Sequence, residues 1–204
     1  SLLAALAKAR EEKEFPLPGK VKNVLVIRPG GIGDAIFLLP FLRALKKENK
    51  EIRVDILCEK RNTAIFESQK DVCDDIYCYD KFDSFKTLFG NHYDIVIDTE
   101  QWHYLSALVA YWLRPTYTIG FETRMLRAKL FNQKIAYDND ACEIVNFSRL
   151  FDYLLRDRDT VKDINSCFSV SDDCLLWATQ RVPEKSICLS LGASIPEKRF
   201  TLKQ

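Results

Sequence analysis

Residues 24–45 read Val-Leu-Val-Ile-Arg-Pro-Gly-Gly-Ile-Gly-Asp-Ala-Ile-Phe-Leu-Leu-Pro-Phe-Leu-Arg-Ala-Leu, and no other stretch limits the fold so tightly. An apolar run rich in Val24, Val26 and Ile27 suits a strand covered on both faces, as in a parallel sheet flanked by helices. Gly30, Gly31 and Gly33 then let the backbone turn sharply and come close to a ligand. The pattern predicts a helix opening on Asp34, with its free N–H groups aimed above the strand end. Such a position attracts an anion; here the chain supplies the Asp34 carboxylate.

Three chemistries fit a strand, glycine turn and helix. A phosphate-cradling loop needs Gly-Lys-Ser/Thr, and nothing of that kind follows Gly33. A dinucleotide fingerprint needs a third small residue where Ile36 stands, although Glu59, closing the next strand, matches its ribose-binding acid and keeps that reading open. In the third, Asp34 is a working carboxylate at the mouth of a crevice. Asp is also a favoured helix cap, and one residue can serve both ends.

The remaining sequence narrows the classes. The 204 residues are 47% hydrophobic and 29% charged, enough for one domain with a real core and part of another. A formal net charge of +1 gives no global field to select nucleic acid or membrane. No apolar run approaches the ~20 residues of a membrane span, and Lys8, Arg10, Glu11, Glu12 and Lys13 interrupt any signal-peptide pattern. The seven cysteines form no Cys-x-x-Cys pair, and His92 and His103 are not spaced with them as zinc ligands. Buried free thiols in a reducing cytoplasm are the expectation, with neither metal nor cofactor.

Leu2, Leu3 and Leu6 predict an amphipathic helix over 2–14, ended by the linker Phe15-Pro-Leu-Pro-Gly19. Strands are then expected at 22–28, 52–57, 75–79, 94–98 and 117–120, with helices at 34–48, 60–68, 84–89, 102–113, 124–131 and 141–156. Such alternation argues for an α/β fold with a Rossmann-like parallel sheet and flanking helices. Residues 157–170 read as a crossing, followed by a helix at 172–181 and a strand at 186–190. The expected domains are therefore 1–20, 21–165 and 166–204, the last a second unit begun without its sheet. Tyr104, Leu108, Tyr111 and Trp112, at helical spacing, read as a core stripe.

Five stretches carry a family likeness: Arg28–Pro40 with the Leu-Arg-Ala-Leu that follows, Tyr93–Asp98 with Ser106-Ala-Leu, Ile119–Arg124, Ala141-Cys-Glu143, and Gly192–Phe200. In this order and spacing the chain resembles glycosyltransferase family 9, the ADP-heptose:lipopolysaccharide heptosyltransferases. It departs from the pattern at Thr99-Glu100-Gln101, where a Leu-Gln-Gly-like turn is usual, and at Phe200, where Trp is usual. The resemblance implies the N-terminal half of a GT-B enzyme with its second domain truncated, inactive alone. It further implies inverting, metal-independent transfer, a nucleotide-sugar donor such as ADP-heptose, and a lipid-linked inner-core acceptor. The place of work would be the cytoplasm, with peripheral contact at the inner membrane.

Within that frame Asp34 is the expected base. An acceptor bearing carboxylates and phosphates calls for cationic and stacking groups, so Gly31, Gly33, Arg61, Trp102, Arg124 and Arg127 form the expected acceptor set. Gly192, Ser194, Lys198 and Arg199 are expected at the donor diphosphate. A non-catalytic module binding an anionic saccharide and an NAD-type domain are the rival readings.

Overall fold

The computed structural model describes residues 7–11, 13–16, 20–69, 71–155 and 168–189. The chain divides into two compact units, residues 1–169 and 170–204. The first is built on one six-stranded sheet: β1 (Asn23–Arg28), β2 (Arg53–Cys58), β3 (Ile76–Cys78), β4 (Ile95–Asp98), β5 (Tyr117–Phe121) and β6 (Gln133–Ile135). All neighbours run parallel, in the order β3-β2-β1-β4-β5-β6. Between and after the strands come α1 (Ile32–Glu48), α2 (Lys60–Ser68), α3 (Phe82–Gly90), α4 (Tyr104–Trp112), the short α5 (Met125–Ala128) and α6 (Glu143–Phe151).

Successive strand residues point to opposite faces, so each face feeds its own core. Val24, Val26, Ile56, Ile97 and Ile119 meet α1 and α6 through Leu38, Phe41, Leu42, Phe147 and Phe151. The Phe41 and Phe151 rings stack at 5.2 Å. Leu25, Ile27, Leu57 and Val96 meet α3 and α4 through Leu88, Ala107 and Leu108 on the other face. Each buried Val, Leu, Ile or Phe side chain among these contributes about 1.5–3 kcal/mol. On β5, a Cβ at Gly120 would lie 2.4 Å from the Phe131 ring, so only glycine admits that ring against the strand.

Several expectations are corrected. Helix α1 begins at Ile32 with Gly31 as its N-cap, which puts Asp34 in the first turn rather than at the cap. The described part of 2–14, residues 7–11, is irregular instead of helical, as is 13–14. Arg10 accounts for this, because it is tied across the fold. Its N–H donates to the Lys129 carbonyl at 2.8 Å, and its guanidinium reaches Tyr111 O at 3.1 Å and Pro115 O at 3.3 Å. Strand β6, which no expectation covered, is three half-buried residues at the sheet edge.

Of the stripe on α4, Leu108 is buried and Trp112 is exposed. The cysteines divide: Cys58, Cys73 and Cys78 are buried, whereas Cys142, Cys174 and Cys188 are exposed. Burial pushes the Cys58 thiol up to about 11 and Cys73 up to about 12, so both stay protonated at neutral pH.

In the second unit, α7 (Asp172–Arg181) is capped by the Ser171 hydroxyl, which accepts the Cys174 N–H at 3.3 Å. None of its residues is buried. Residues 186–189 form no strand, and Ser190 lies outside the described residues. No helix among the described residues is long and apolar enough to cross a membrane.

Candidate functional site

In an open parallel sheet the crevice opens beyond the carboxyl ends of the strands where their order reverses. Here that point lies between β1 and β4. The chain leaves β1 through Arg28-Pro-Gly-Gly31 and leaves β4 through Thr99-Glu100-Gln101. The two exits are bonded together, since Thr99 donates its N–H at 3.1 Å and its hydroxyl at 2.8 Å to Ile27 O. Gly30 adopts φ +104°, a left-handed conformation that favours glycine, and a Cβ there would press to 3.1 Å from the Arg28 guanidinium.

Arg28 is the hub of the crevice. It is buried, and it donates to Thr99 O at 2.9 Å and Pro29 O at 2.7 Å. Its Nη2 lies 3.2 Å from Asp34 Oδ2 and 3.7 Å from Glu100 Oε2. Asp34 keeps 37% of its side chain open to solvent, so it is held on one side and accessible on the other. Glu100 is buried and accepts the N–H groups of Trp102 at 2.9 Å and His103 at 3.3 Å, satisfying donors at the start of α4.

Glu143, opening α6, forms the opposite wall. It accepts the Tyr137 hydroxyl at 2.7 Å and the Gln101 side-chain amide. Burial, opposed by the Tyr137 hydrogen bond, raises the Glu143 carboxyl above the usual range, and the nearby charge of Asp34 adds to the rise. Tyr137 is pushed up to about 12, first by burial and then by its bond to Glu143, so it stays a donor. The exposed Trp102 indole stands edge-on to Tyr137 at 6.1 Å.

On the β2 and β3 side, a cavity of about 690 Å³ opens from the Gly30 turn, lined among others by Arg28, Glu59, Arg61, Tyr79, Asp80 and Glu100.

Arg61 lines this cavity; Asp34, held by Arg28, and Gly31, beside Asp34, stand next to it, Trp102 lies on the Tyr137 side, and Gly33 is on the exposed first turn of α1. Arg124 is exposed and stands over the Tyr104 ring at 5.8 Å; it does not line the cavity. Arg127 departs from its expected role. It is fully buried, paired with the equally buried Asp98 at 2.6 Å. It also donates to the carbonyls of Phe121 at 2.7 Å, His103 at 3.2 Å and Glu100. Its guanidinium therefore ties the exit of β4 to that of β5. Gly192, Ser194, Lys198 and Arg199 lie outside the described residues.

Sequence reasoning passed over Arg28, Glu100, Gln101, Tyr137 and Glu143. Two signals pointed to some of them: a charged residue closing an otherwise apolar strand, and two adjacent polar residues at the end of another.

A doubly wound parallel sheet with charged residues gathered at its switch point defines a Rossmann-like α/β domain. No protein-family model matches the sequence, and no curated protein matches it. Several solved structures share the fold, three of them as follows. A family 9 glycosyltransferase from Veillonella parvula DSM 2008 superposes with a TM-score of 0.65 at 18% identity, covering 89% of this chain and 57% of that one. E. coli ADP-heptose lipopolysaccharide heptosyltransferase II gives 0.58 at 15% identity over 78% and 50%. E. coli heptosyltransferase WaaC, solved with ADP, gives 0.55 at 20% identity over 65% and 46%. The chain has the heptosyltransferase-like fold of family 9 and spans about half the length of these structures.

Proposed function

We propose that this chain is the acceptor-side domain of an inverting, metal-independent GT-B glycosyltransferase. It would move a heptose from ADP-heptose to a lipopolysaccharide inner-core acceptor at the cytoplasmic face of the membrane. Residues from 170 onward would begin the donor-side domain. The observation that carries the reading is Asp34, half-open to solvent in the switch-point crevice and held by Arg28 at 3.2 Å.

In this mechanism an acceptor hydroxyl attacks the anomeric carbon from the face opposite the diphosphate. As the new C–O bond forms, Asp34 takes the hydroxyl proton, and the old C–O bond breaks with its electron pair leaving on ADP. A carboxylate is a weak base, so its effect comes from position, which Arg28 supplies by fixing one oxygen. Lys198 and Arg199, with the turn at Gly192 and Ser194, would neutralise the departing diphosphate, as oriented cations do at a leaving group. Arg61 and Trp102 would hold the acceptor; Arg124, above Tyr104, would lie further out.

The test is Asp34→Asn in a protein carrying a complete C-terminal half, assayed by mass spectrometry against a panel of nucleotide-sugars. Loss of a positioned base is expected to lower kcat by about 100-fold or more. The melting temperature should move little, because asparagine is isosteric with aspartate and its amide oxygen can still accept from the Arg28 guanidinium, 3.2 Å from Asp34 Oδ2. Near wild-type turnover would end the assignment. A module that only binds saccharide would consume no donor with or without Asp34.

A further inference from the structure

The cavity beside Asp34 has a charge balance opposite to the one a polyanionic acceptor requires. Its lining sets Glu59, Asp80 and Glu100 against Arg28 and Arg61. Both arginines already answer carboxylates. Arg61 Nε lies 2.7 Å from Glu59, and Arg28 is shared between Asp34 at 3.2 Å and Glu100 at 3.7 Å. Asp80, at the rim, accepts the Lys60 N–H at 2.7 Å, which holds its carboxyl below the usual range and keeps it ionised. A phosphate or carboxylate entering here must detach an arginine from its partner or lie among three like charges, and juxtaposed like charges exclude wrong partners.

A hydroxyl-rich ring meets no such conflict. It can donate to Glu59, Asp80 and Glu100 and accept from the outer N–H groups of Arg61. The Tyr79 hydroxyl is buried on the cavity wall and has no hydrogen-bond partner among the described residues, a vacancy that a ligand hydroxyl would fill. The Phe85 ring, 5.7 Å from that of Tyr79 and also lining the cavity, offers an apolar surface to the C–H face of a sugar.

We infer that the sugar residue seated in this cavity is uncharged, a neutral polyhydroxylated ring rather than a carboxylated or phosphorylated one. That this ring is a sugar of the acceptor rests on the glycosyltransferase reading; the preference for a neutral ring rests on the cavity.

The experiment is saturation-transfer NMR and titration of this 204-residue chain with matched pairs of methyl glycosides. Methyl mannoside, glucoside and galactoside are each compared with their own uronic acid and 6-phosphate. The neutral member of the best-bound pair is expected to bind about tenfold more tightly, about 1.4 kcal/mol. The gap should narrow to under about threefold in the double variant Glu59→Gln, Asp80→Asn. If that variant does not fold, the wild-type gap should narrow between about 20 mM and about 500 mM salt, where like-charge repulsion is screened. Charged members binding as well or better, a gap indifferent to both variant and salt, or no glycoside of either kind binding would each overturn the inference. Preference for charged sugars alongside Asp34-dependent transfer would remove the inference and leave the transferase reading. Neutral preference without transfer by a longer protein would do the reverse.

Discussion

Arg127→Met separates a structural from a ligand-binding arginine. In the wild type the guanidinium and the Asp98 carboxylate are both wholly inaccessible and 2.6 Å apart. Methionine fills much of the same volume but leaves Asp98 with the backbone N–H of Glu100, at 3.1 Å, as its remaining backbone donor. It also strips a donor from the carbonyls of His103 and Phe121. Breaking one side of a buried pair costs about 3–5 kcal/mol, because a charge is left without its counterion. Set against a total of about 5–15 kcal/mol, that is a large fraction of the stability. At about 2–4 °C per kcal/mol for a domain of this size, the melting temperature should fall by roughly 6–20 °C. Urea titration followed by circular dichroism measures the free-energy loss directly, and a thermal melt the temperature shift. Adding Asp98→Asn removes the stranded charge and should return about 1–2 kcal/mol. A loss below about 1 kcal/mol, together with weakened saccharide binding, would refute the structural role and restore Arg127 to the acceptor set.

Three further outcomes are expected. Gly120→Ala places a methyl 2.4 Å from the Phe131 ring and should cost about 1–3 kcal/mol, largely recovered by Phe131→Leu; an unchanged thermal melt would contradict the close approach. The Arg43 guanidinium, 2.8 Å from Asp71, holds that carboxyl below the usual range. Its contribution is therefore fully present above the unfolded aspartate range and lost as pH falls through the lower folded value. Arg43→Ala should return Asp71 to ordinary titration in carboxyl carbon-13 NMR, and no displacement would rule the pairing out. Calorimetric titration of the chain with ADP should give a Kd of about 1 mM or weaker, because the expected diphosphate groups, Gly192, Ser194, Lys198 and Arg199, are few and lie within one short stretch of sequence. Micromolar binding would move the donor site into the first unit.

The sheet was legible because its inner strands announce themselves. Val24–Ile27 and Ile95–Ile97 are apolar runs closed by a charge, and each is followed at short range by a helical pattern. Strand β6 was not, since Gln133-Lys-Ile135 is short, half-exposed and without alternation, and only its pairing with Ile119–Phe121 makes it a strand. Leucine spacing near the N-terminus suggested helix, but at Arg10 bonds to distant carbonyls outweigh local propensity. The site divides along the same line. Asp34 stands inside one contiguous motif, so a linear reading finds it. Arg28, Glu100 and the Tyr137–Glu143 pair come from three separate segments and meet only through the strand order. The burial of Arg127 was hidden for a related reason, because sequence shows a charge but not whether a buried aspartate awaits it, as Asp98 awaits Arg127.

The tether at Arg10 bears on the order in which the molecule is made. Its guanidinium bonds to Asn132, 122 positions further along the chain. At about 5–20 residues per second, a ribosome takes roughly 6–24 s to deliver that partner. During the first part of this interval β1 also waits for β4, since its second neighbour is encoded some seventy positions downstream, at Ile95 opposite Val24. Nascent chains of this protein therefore present an apolar strand with an unfilled edge for several seconds, the interval in which a holdase or a wrongly paired strand has its opening. The N-terminal tether can close only when that interval is over, which makes its protection from proteases a marker of completed assembly.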